Sequence, residues 1–132
     1  GLRLFVIAWE RNSGKKGLFS TEERISHIRE AVGGYRRVKV DTFEGLLVDY
    51  VVSSGAKGIL RGLRAVSDFE YEFQIAQMNH NLKSEVETVF MMTSVPYGYL
   101  SSSIVKEVAS LKGPVESLVP PVVRKALAEK FS

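Results

Sequence analysis

The sequence predicts an α/β protein built on a Rossmann-like parallel sheet with helices on both faces. Short apolar runs typical of buried strands alternate with longer segments whose apolar residues recur at helical spacing. Glycine and serine mark the connections between these segments. Because such alternation generates parallel pairing, we expect ligands to bind at the carboxyl ends of the strands. We expect residues 1–132 to form one domain.

Local signals place the elements of the first sixty residues. The stretch STEE has capping-box spacing, in which a serine and a glutamate satisfy free N–H groups of the first turn, so we expect a helix to begin at Ser20. The pair Gly33-Gly34 is predicted to end it. A second helical stripe over residues 46–51 is closed by the turn at residues 53–55. Apolar runs predict strands at residues 2–8, 37–40 and 58–60.

The same alternation continues to the end of the sequence. Apolar side chains between residues 68 and 83 have the spacing of a long helix with a broad apolar face. Residues 86–92 are predicted to form the next strand. Two further helices are expected at residues 101–111 and 122–131, because Gly-Pro and Pro-Pro pairs separate them.

Composition excludes several kinds of site. The absence of cysteine excludes disulfides, thiolate zinc sites and cysteine nucleophiles. The two histidines, His27 and His80, lack metal-ligand spacing, so we expect no dedicated metal cage. The net charge of +3 suits an anionic small molecule as well as nucleic acid, and it does not distinguish between them. No apolar run approaches the roughly 18 residues of a spanning helix, and we expect a soluble, cytoplasmic protein.

Positive charge is concentrated where the third strand is predicted to end, in ILRGLRAVSDFEYE. Arg61, Gly62 and Arg64 are expected to leave that strand at its carboxyl end, where glycine permits close backbone approach and arginines offer planar forks to phosphate oxygens. The loops NSGKKG and PYGYLSSS follow other strands, so three anion-suited loops are predicted to meet at one rim. Ordinary alternatives are surface ion pairs with Asp68, solubilising lysines and a serine helix cap.

Taken together, four stretches resemble the bacterial phosphopantetheine adenylyltransferase family, which belongs to the nucleotidylyltransferase superfamily. They are NSGKKGLFSTEER, ILRGLRAVSDFEYEFQIAQMN, ETVFMM and YLSSSIVKEVA, in the family's order and with compatible spacing over essentially the whole chain. The resemblance implies a magnesium-dependent step of coenzyme A biosynthesis, in which ATP and 4′-phosphopantetheine give dephospho-coenzyme A and pyrophosphate. It also implies a homohexamer that takes coenzyme A as a product-like ligand. Because the sequence has no helix with clustered Lys or Arg and no membrane-spanning apolar run, we expect neither nucleic acid nor membrane as a partner.

Carried over residue by residue, the resemblance implies two ligand sites. Lys15 and Arg61 would hold the phosphate of phosphopantetheine, Leu47 would contact its pantetheine arm, and Met78 and Asn79 would border that pocket. Lys15, Arg61 and Arg64 would supply positive charge, which suits nucleotidyl transfer because that reaction depends on alignment and charge neutralisation. The implied ATP site consists of Gly62, Leu63, Arg64, Glu72, Tyr97, Gly98, Tyr99, Leu100, Ser101, Ser102 and Ser103.

One family feature has no counterpart in the sequence. Family members begin with a strand and a loop containing a Thr/His-x-Gly-His motif, whose second histidine stabilises the transition state. The sequence contains no such motif, so no catalytic histidine is assigned. That strand is the central one of the family's five-stranded sheet, and without it backbone N–H and C=O groups would lack partners. We therefore expect the sequence to omit an N-terminal segment of a longer protein.

Three other functions remain open. An adenylyltransferase for nicotinamide mononucleotide would resemble this sequence in the serine-rich loop, but typically with Thr and Arg where Ser103 and Lys106 stand. A noncatalytic module that binds a nucleotide or coenzyme A is compatible with the missing motif. Nucleic-acid binding is suggested by the pI of 9.2, although the sequence has no basic aromatic platform.

Overall fold

The computed structural model describes residues 4–11 and 17–132. Strands and helices alternate in this part of the chain, which confirms the predicted α/β class. The elements are β1 (Phe5–Glu10), α1 (Thr21–Val32), β2 (Val38–Phe43), α2 (Leu47–Ser53), β3 (Gly58–Leu63), α3 (Val66–Leu82), β4 (Glu87–Met92), a 3₁₀ turn (Val95–Tyr97), α4 (Ser102–Ser110) and α5 (Pro121–Lys130). None of these helices is long and apolar enough to cross a lipid bilayer.

The strands pair in parallel, as the alternation predicts. β1 pairs with β2 and β3 pairs with β4, so the described residues form two sheets of two strands each. Several apolar side chains of the second sheet are exposed, among them Leu60, Val89 and Met91. Parallel strands of this apolar character are usually covered on both faces. The second sheet therefore exposes side chains of a type that proteins normally bury.

The described residues belong to two compact units. One unit comprises Gly1–Phe43 with Leu100–Ser132, and the other comprises Glu44–Tyr99. We call them the first unit and the second unit. The buried core of the first unit contains Val105, Val115 and Leu127. The buried core of the second unit consists of Val48, Val51, Ile59 and Val86. One domain over residues 1–132 stays a prediction.

Local sequence signals are confirmed at both ends of α1. The Ser20 hydroxyl accepts a hydrogen bond from the Glu23 backbone N–H at 3.1 Å, and the Glu23 carboxylate accepts one from the Ser20 N–H at 2.7 Å. These two bonds form the predicted capping box. The helix ends at Val32 with Gly33 as its C-cap. At the end of α2, Gly55 has a φ of +73°, a conformation in which glycine avoids the strain of a side chain.

The predicted end of the third strand is wrong. β3 does not end at Leu60 but continues to Leu63, because Arg61 and Gly62 stay in parallel register with Phe90 and Met91 of β4. Arg61 and Gly62 therefore lie within the strand, and only Arg64 follows it. The long helix predicted between residues 68 and 83 is confirmed as α3. Its large apolar side chains are mostly exposed, because periodicity does not determine whether another element covers a face.

Candidate functional site

The end of β3 and the beginning of α3 enclose an open cavity of about 440 Å³ in the second unit. Two arginines, two carboxylates, a glycine and a tyrosine line it: Arg61, Gly62, Arg64, Asp68, Tyr71 and Glu72. Gly62 is exposed and has no side chain to cover its backbone. The cavity thus combines cationic groups with an approachable backbone, which suits a phosphorylated ligand.

Arg61 forms a two-point ion pair with Glu72. Its Nε donates to one carboxylate oxygen at 2.9 Å, and its Nη2 donates to the other at 2.6 Å. The side chain of Glu72 is only 14% exposed, whereas that of Arg61 is 48% exposed. The hydrogen bond to Glu72 raises the pKa of Arg61 above its ordinary value. The pair joins β3 to α3 and fixes the plane of the guanidinium.

Arg64 forms a more local pair with Asp68, one helical turn along the chain. The Arg64 Nε donates to Asp68 Oδ2 at 3.0 Å, and the Arg64 backbone N–H donates to the same oxygen at 3.2 Å. The hydrogen bond from the guanidinium lowers the pKa of Asp68 below its ordinary value. This pair secures the connection between β3 and α3, where Ala65 provides no side-chain cap for the helix.

The structure brings together part of the predicted site. Arg61, Gly62, Arg64 and Glu72 line one cavity, as a common binding site requires. Asp68 and Tyr71 line the same cavity and were not predicted as site residues. The available signal was helical spacing: Tyr71 and Glu72 lie three and four positions after Asp68, so both are neighbours of Asp68 on the surface of the helix. The functional roles of these residues stay predictions.

Other predicted ligand-binding residues lie elsewhere. Leu47 is partly buried and packs against the core of the second unit. Met78 and Asn79 lie on α3 but are not among the residues that line the cavity. Leu63 is the last residue of β3 and is half-buried. Lys15 lies outside the described residues.

The predicted ATP-binding loop comprises residues 97–103. Its first three residues belong to the second unit and the remaining residues belong to the first unit. Tyr97, Gly98 and Tyr99 end the second unit, and Leu100 belongs to the first unit and packs against its core. Ser101 is the N-cap of α4, and its hydroxyl accepts a hydrogen bond from the Ile104 N–H at 3.2 Å. The ordinary alternative, a serine cap, is therefore confirmed for this residue. An ATP-binding role for the loop, including Ser102 and Ser103 in the first turn, stays a prediction, as does the meeting of three loops at one rim.

The acidic groups of the cavity do not suit a metal ion. Both carboxylates, Asp68 and Glu72, are paired with arginines. In the part of the chain that the structure describes, no group of three histidine, aspartate or glutamate side chains is arranged to hold a metal ion. The groups of this cavity that can bind an anion are the guanidinium groups of Arg61 and Arg64.

Comparison with known proteins agrees with this chemistry. Residues 3–108 match the model of the cytidylyltransferase-like family. The chain is 62% identical to phosphopantetheine adenylyltransferase of Geobacter metallireducens, covering 100% of this chain and 83% of that protein. It is 63% identical to the enzyme of the same name from Geotalea daltonii, covering 100% of this chain and 84% of that protein. The same name applies to a protein of Geobacter sulfurreducens with 61% identity, covering 99% of this chain and 82% of that protein. With a matching family model over most of its length and this identity to its relatives, the chain belongs to the phosphopantetheine adenylyltransferase family of nucleotidyltransferases.

Proposed function

We propose that the protein transfers the adenylyl group of ATP to 4′-phosphopantetheine, giving dephospho-coenzyme A and pyrophosphate. The observation that carries the proposal is the cavity at the end of β3, which two arginines and an exposed glycine line together. The names of the relatives supply the substrates. Both substrates are anionic, which matches the cationic groups of the cavity.

In the proposed reaction, a phosphate oxygen of 4′-phosphopantetheine attacks the α-phosphorus of ATP. A new P–O bond forms, the bond to the β-phosphate oxygen breaks, and pyrophosphate leaves with that electron pair. Arg61 binds the attacking phosphate and reduces its repulsion from ATP, while Arg64 binds phosphate oxygens of ATP. Their contribution is alignment and charge neutralisation rather than covalent chemistry.

Magnesium is part of the proposal as an ion that accompanies the phosphates of ATP. Magnesium usually keeps several waters and binds through substrate phosphates and one or two carboxylates. Asp68 and Glu72 do not fit as its ligands, because each is already paired with an arginine. We therefore derive no step of the reaction through the metal.

A homohexamer and a cytoplasmic location complete the proposal. Exposed apolar side chains on β4 support an assembly, with Met92 at 88% exposure as the extreme case. The measurement is sedimentation velocity of the full-length protein, with a hexamer as the expected species. A monomer at all concentrations would contradict the assembly and leave the proposed reaction unaffected.

The decisive experiment measures dephospho-coenzyme A formation from ATP, Mg²⁺ and 4′-phosphopantetheine. The sample is the full-length protein, including any segment that precedes residue 1, and nicotinamide mononucleotide replaces 4′-phosphopantetheine in the control. We expect product only with 4′-phosphopantetheine. Preferential turnover of nicotinamide mononucleotide would replace the proposed substrate.

A second candidate is a noncatalytic module that binds a nucleotide or coenzyme A, because arginines that line a cavity can bind such anions without transferring a group. Calorimetric titration with ATP, 4′-phosphopantetheine and coenzyme A distinguishes the two functions. Binding without turnover would support the module, whereas binding with turnover supports the enzyme.

A further inference from the structure

Glu72 is a negatively charged residue in a cavity proposed to bind two anionic ligands. A carboxylate in such a place repels a phosphate unless its charge is neutralised. Its side chain is 14% exposed, so water screens it less than a fully exposed carboxylate. Its position therefore calls for a physical reason beyond a solvated surface charge.

The geometry of the ion pair supplies that reason. A guanidinium has five N–H groups on a rigid plane. Glu72 accepts from Nε and from Nη2, which together form one side of that plane. Within the described residues, Nη1 makes no hydrogen bond. The end of the guanidinium, formed by Nη1 and the second N–H of Nη2, is left for a ligand.

We infer that Glu72 is a positioning residue that holds the Arg61 guanidinium with its Nη1 and Nη2 end ready to bind the phosphate of 4′-phosphopantetheine. This inference rests on the proposed function. An unrestrained arginine loses rotamer freedom when it binds a ligand, and a preformed pair reduces that cost. Glu72 thus acts on the phosphate through Arg61, which differs from the direct ATP contact that the family resemblance implies.

The neighbouring pair provides a matched contrast. Asp68 is another carboxylate of the same cavity, but its partner is Arg64, four residues away. The Arg61–Glu72 pair links residues eleven positions apart on a strand and a helix. Glu72→Gln and Asp68→Asn each replace a carboxylate by an amide. A difference in ligand affinity between these two variants therefore reports on the arginine that each carboxylate holds.

The experiment compares Glu72→Gln with the unmodified chain by calorimetric titration with 4′-phosphopantetheine and with pantetheine, which lacks the phosphate. We expect Glu72→Gln to weaken 4′-phosphopantetheine binding roughly three- to tenfold and to leave pantetheine binding unchanged. The direction is informative, because removing a negative charge from an anion site without a positioning role strengthens phosphate binding. Glu72→Asp keeps the charge on a shorter arm, so it should weaken 4′-phosphopantetheine as well.

Two controls separate positioning from other effects. Asp68→Asn should not weaken 4′-phosphopantetheine binding, although it removes a charge from the same cavity. In an Arg61→Ala background, Glu72→Gln should cause no further loss, because its effect passes through Arg61. A further loss of equal size in that background would show a direct contact and overturn the inference.

Failure of the inference and failure of the proposed function give different results. Unchanged or stronger 4′-phosphopantetheine binding by Glu72→Gln, together with normal binding by the unmodified chain, overturns the inference alone. No preference of the unmodified chain for 4′-phosphopantetheine over pantetheine overturns both. Circular dichroism of each variant confirms that the compared chains are folded.

Discussion

The first and second units differ in what their side chains accomplish. In the first unit, Val105, Val115 and Leu127 are buried and are surrounded by further apolar side chains from α4, α5 and the segment before α1. The second unit has a small aliphatic core around Val48 and leaves most large apolar side chains of α3 and β4 exposed. It is the second unit that carries the cavity with Arg61 and Arg64.

This difference teaches that stability and ligand recognition depend on different residues in this chain. Aliphatic burial contributes to folding in proportion to the apolar area removed from water. Partly exposed ion pairs, such as the arginine pairs of the second unit, contribute little to folding. Truncation of a core residue should lower the free energy of unfolding without changing ligand preference. Truncation of a cavity arginine should change ligand affinity and leave the free energy of unfolding nearly unchanged.

The largest effect is expected from Leu127→Ala in the core of the first unit. Leu127 is 3% exposed, and truncation of a buried leucine costs about 2–5 kcal/mol through lost burial and the cavity left behind. The measurement is the free energy of unfolding from urea titration followed by circular dichroism. Relative affinity for ATP and 4′-phosphopantetheine should stay unchanged in the folded variant.

Leu111→Ala is the matched control for this prediction. The same side chain is removed, but Leu111 is 76% exposed, so the change should stay within about 0.5 kcal/mol. Equal destabilisation by both variants would contradict the assignment of Leu127 to a stabilising core.

The second largest effect is expected from Arg61→Ala in the cavity of the second unit. The change removes the proposed fork for the phosphate of 4′-phosphopantetheine, and a hydrogen bond to a charged group contributes about 1.5–3 kcal/mol. Affinity for 4′-phosphopantetheine should therefore fall roughly ten- to a hundredfold, and affinity for ATP should fall less. Calorimetric titration with each ligand measures both values.

Arg64→Ala is the corresponding control, because Arg64 lines the same cavity and is assigned to ATP by resemblance. Its loss should weaken ATP more than 4′-phosphopantetheine. If both variants weakened the two ligands equally, the separation of the arginines into two ligand sites would be wrong.

Local features of the fold were predictable from the sequence. The capping box at Ser20 and the turn at Gly55 depend on residues close together in the chain, and both are present. The order of strands and helices follows from periodicity for the same reason. The true end of β3 was not predictable in this way, because it depends on register with β4, whose residues lie about thirty positions away.

The candidate site was predictable in part. The arginines and the glycine were found from local charge and composition, and the structure places them in one cavity with Glu72. The two-point pair between Arg61 and Glu72 could not be predicted, because it requires the packing of a helix against a strand. The sequence also could not predict whether the apolar face of α3 is covered, since periodicity defines a face but not the element that packs against it.

The smallest effect is expected where the two units differ in how a helix begins. α1 of the first unit has the Ser20–Glu23 capping box, whereas α3 of the second unit has Ala65 at its N-cap and no side-chain cap. Hydrogen bonding from the Ser20 backbone N–H lowers the pKa of Glu23 below its ordinary value of 4.5, and the nearby Lys130 ammonium lowers it further. Glu23→Gln keeps an acceptor but removes this charge, so a small loss of stability at neutral pH is expected.

The pH dependence of that loss tests its cause. Because the pKa of Glu23 is lower in the folded chain than in the unfolded chain, the charged form stabilises the fold above pH 4.5. This contribution is lost as the pH falls below 4.5 toward the folded pKa, since protonation then favours the unfolded chain. The difference in urea midpoint between the unmodified chain and Glu23→Gln should therefore shrink on acidification. Glu85→Gln, at an exposed position before β4, should show no such difference at neutral pH. A gap for Glu23→Gln that stays constant with pH would assign its effect to side-chain geometry rather than to the charge at the start of α1.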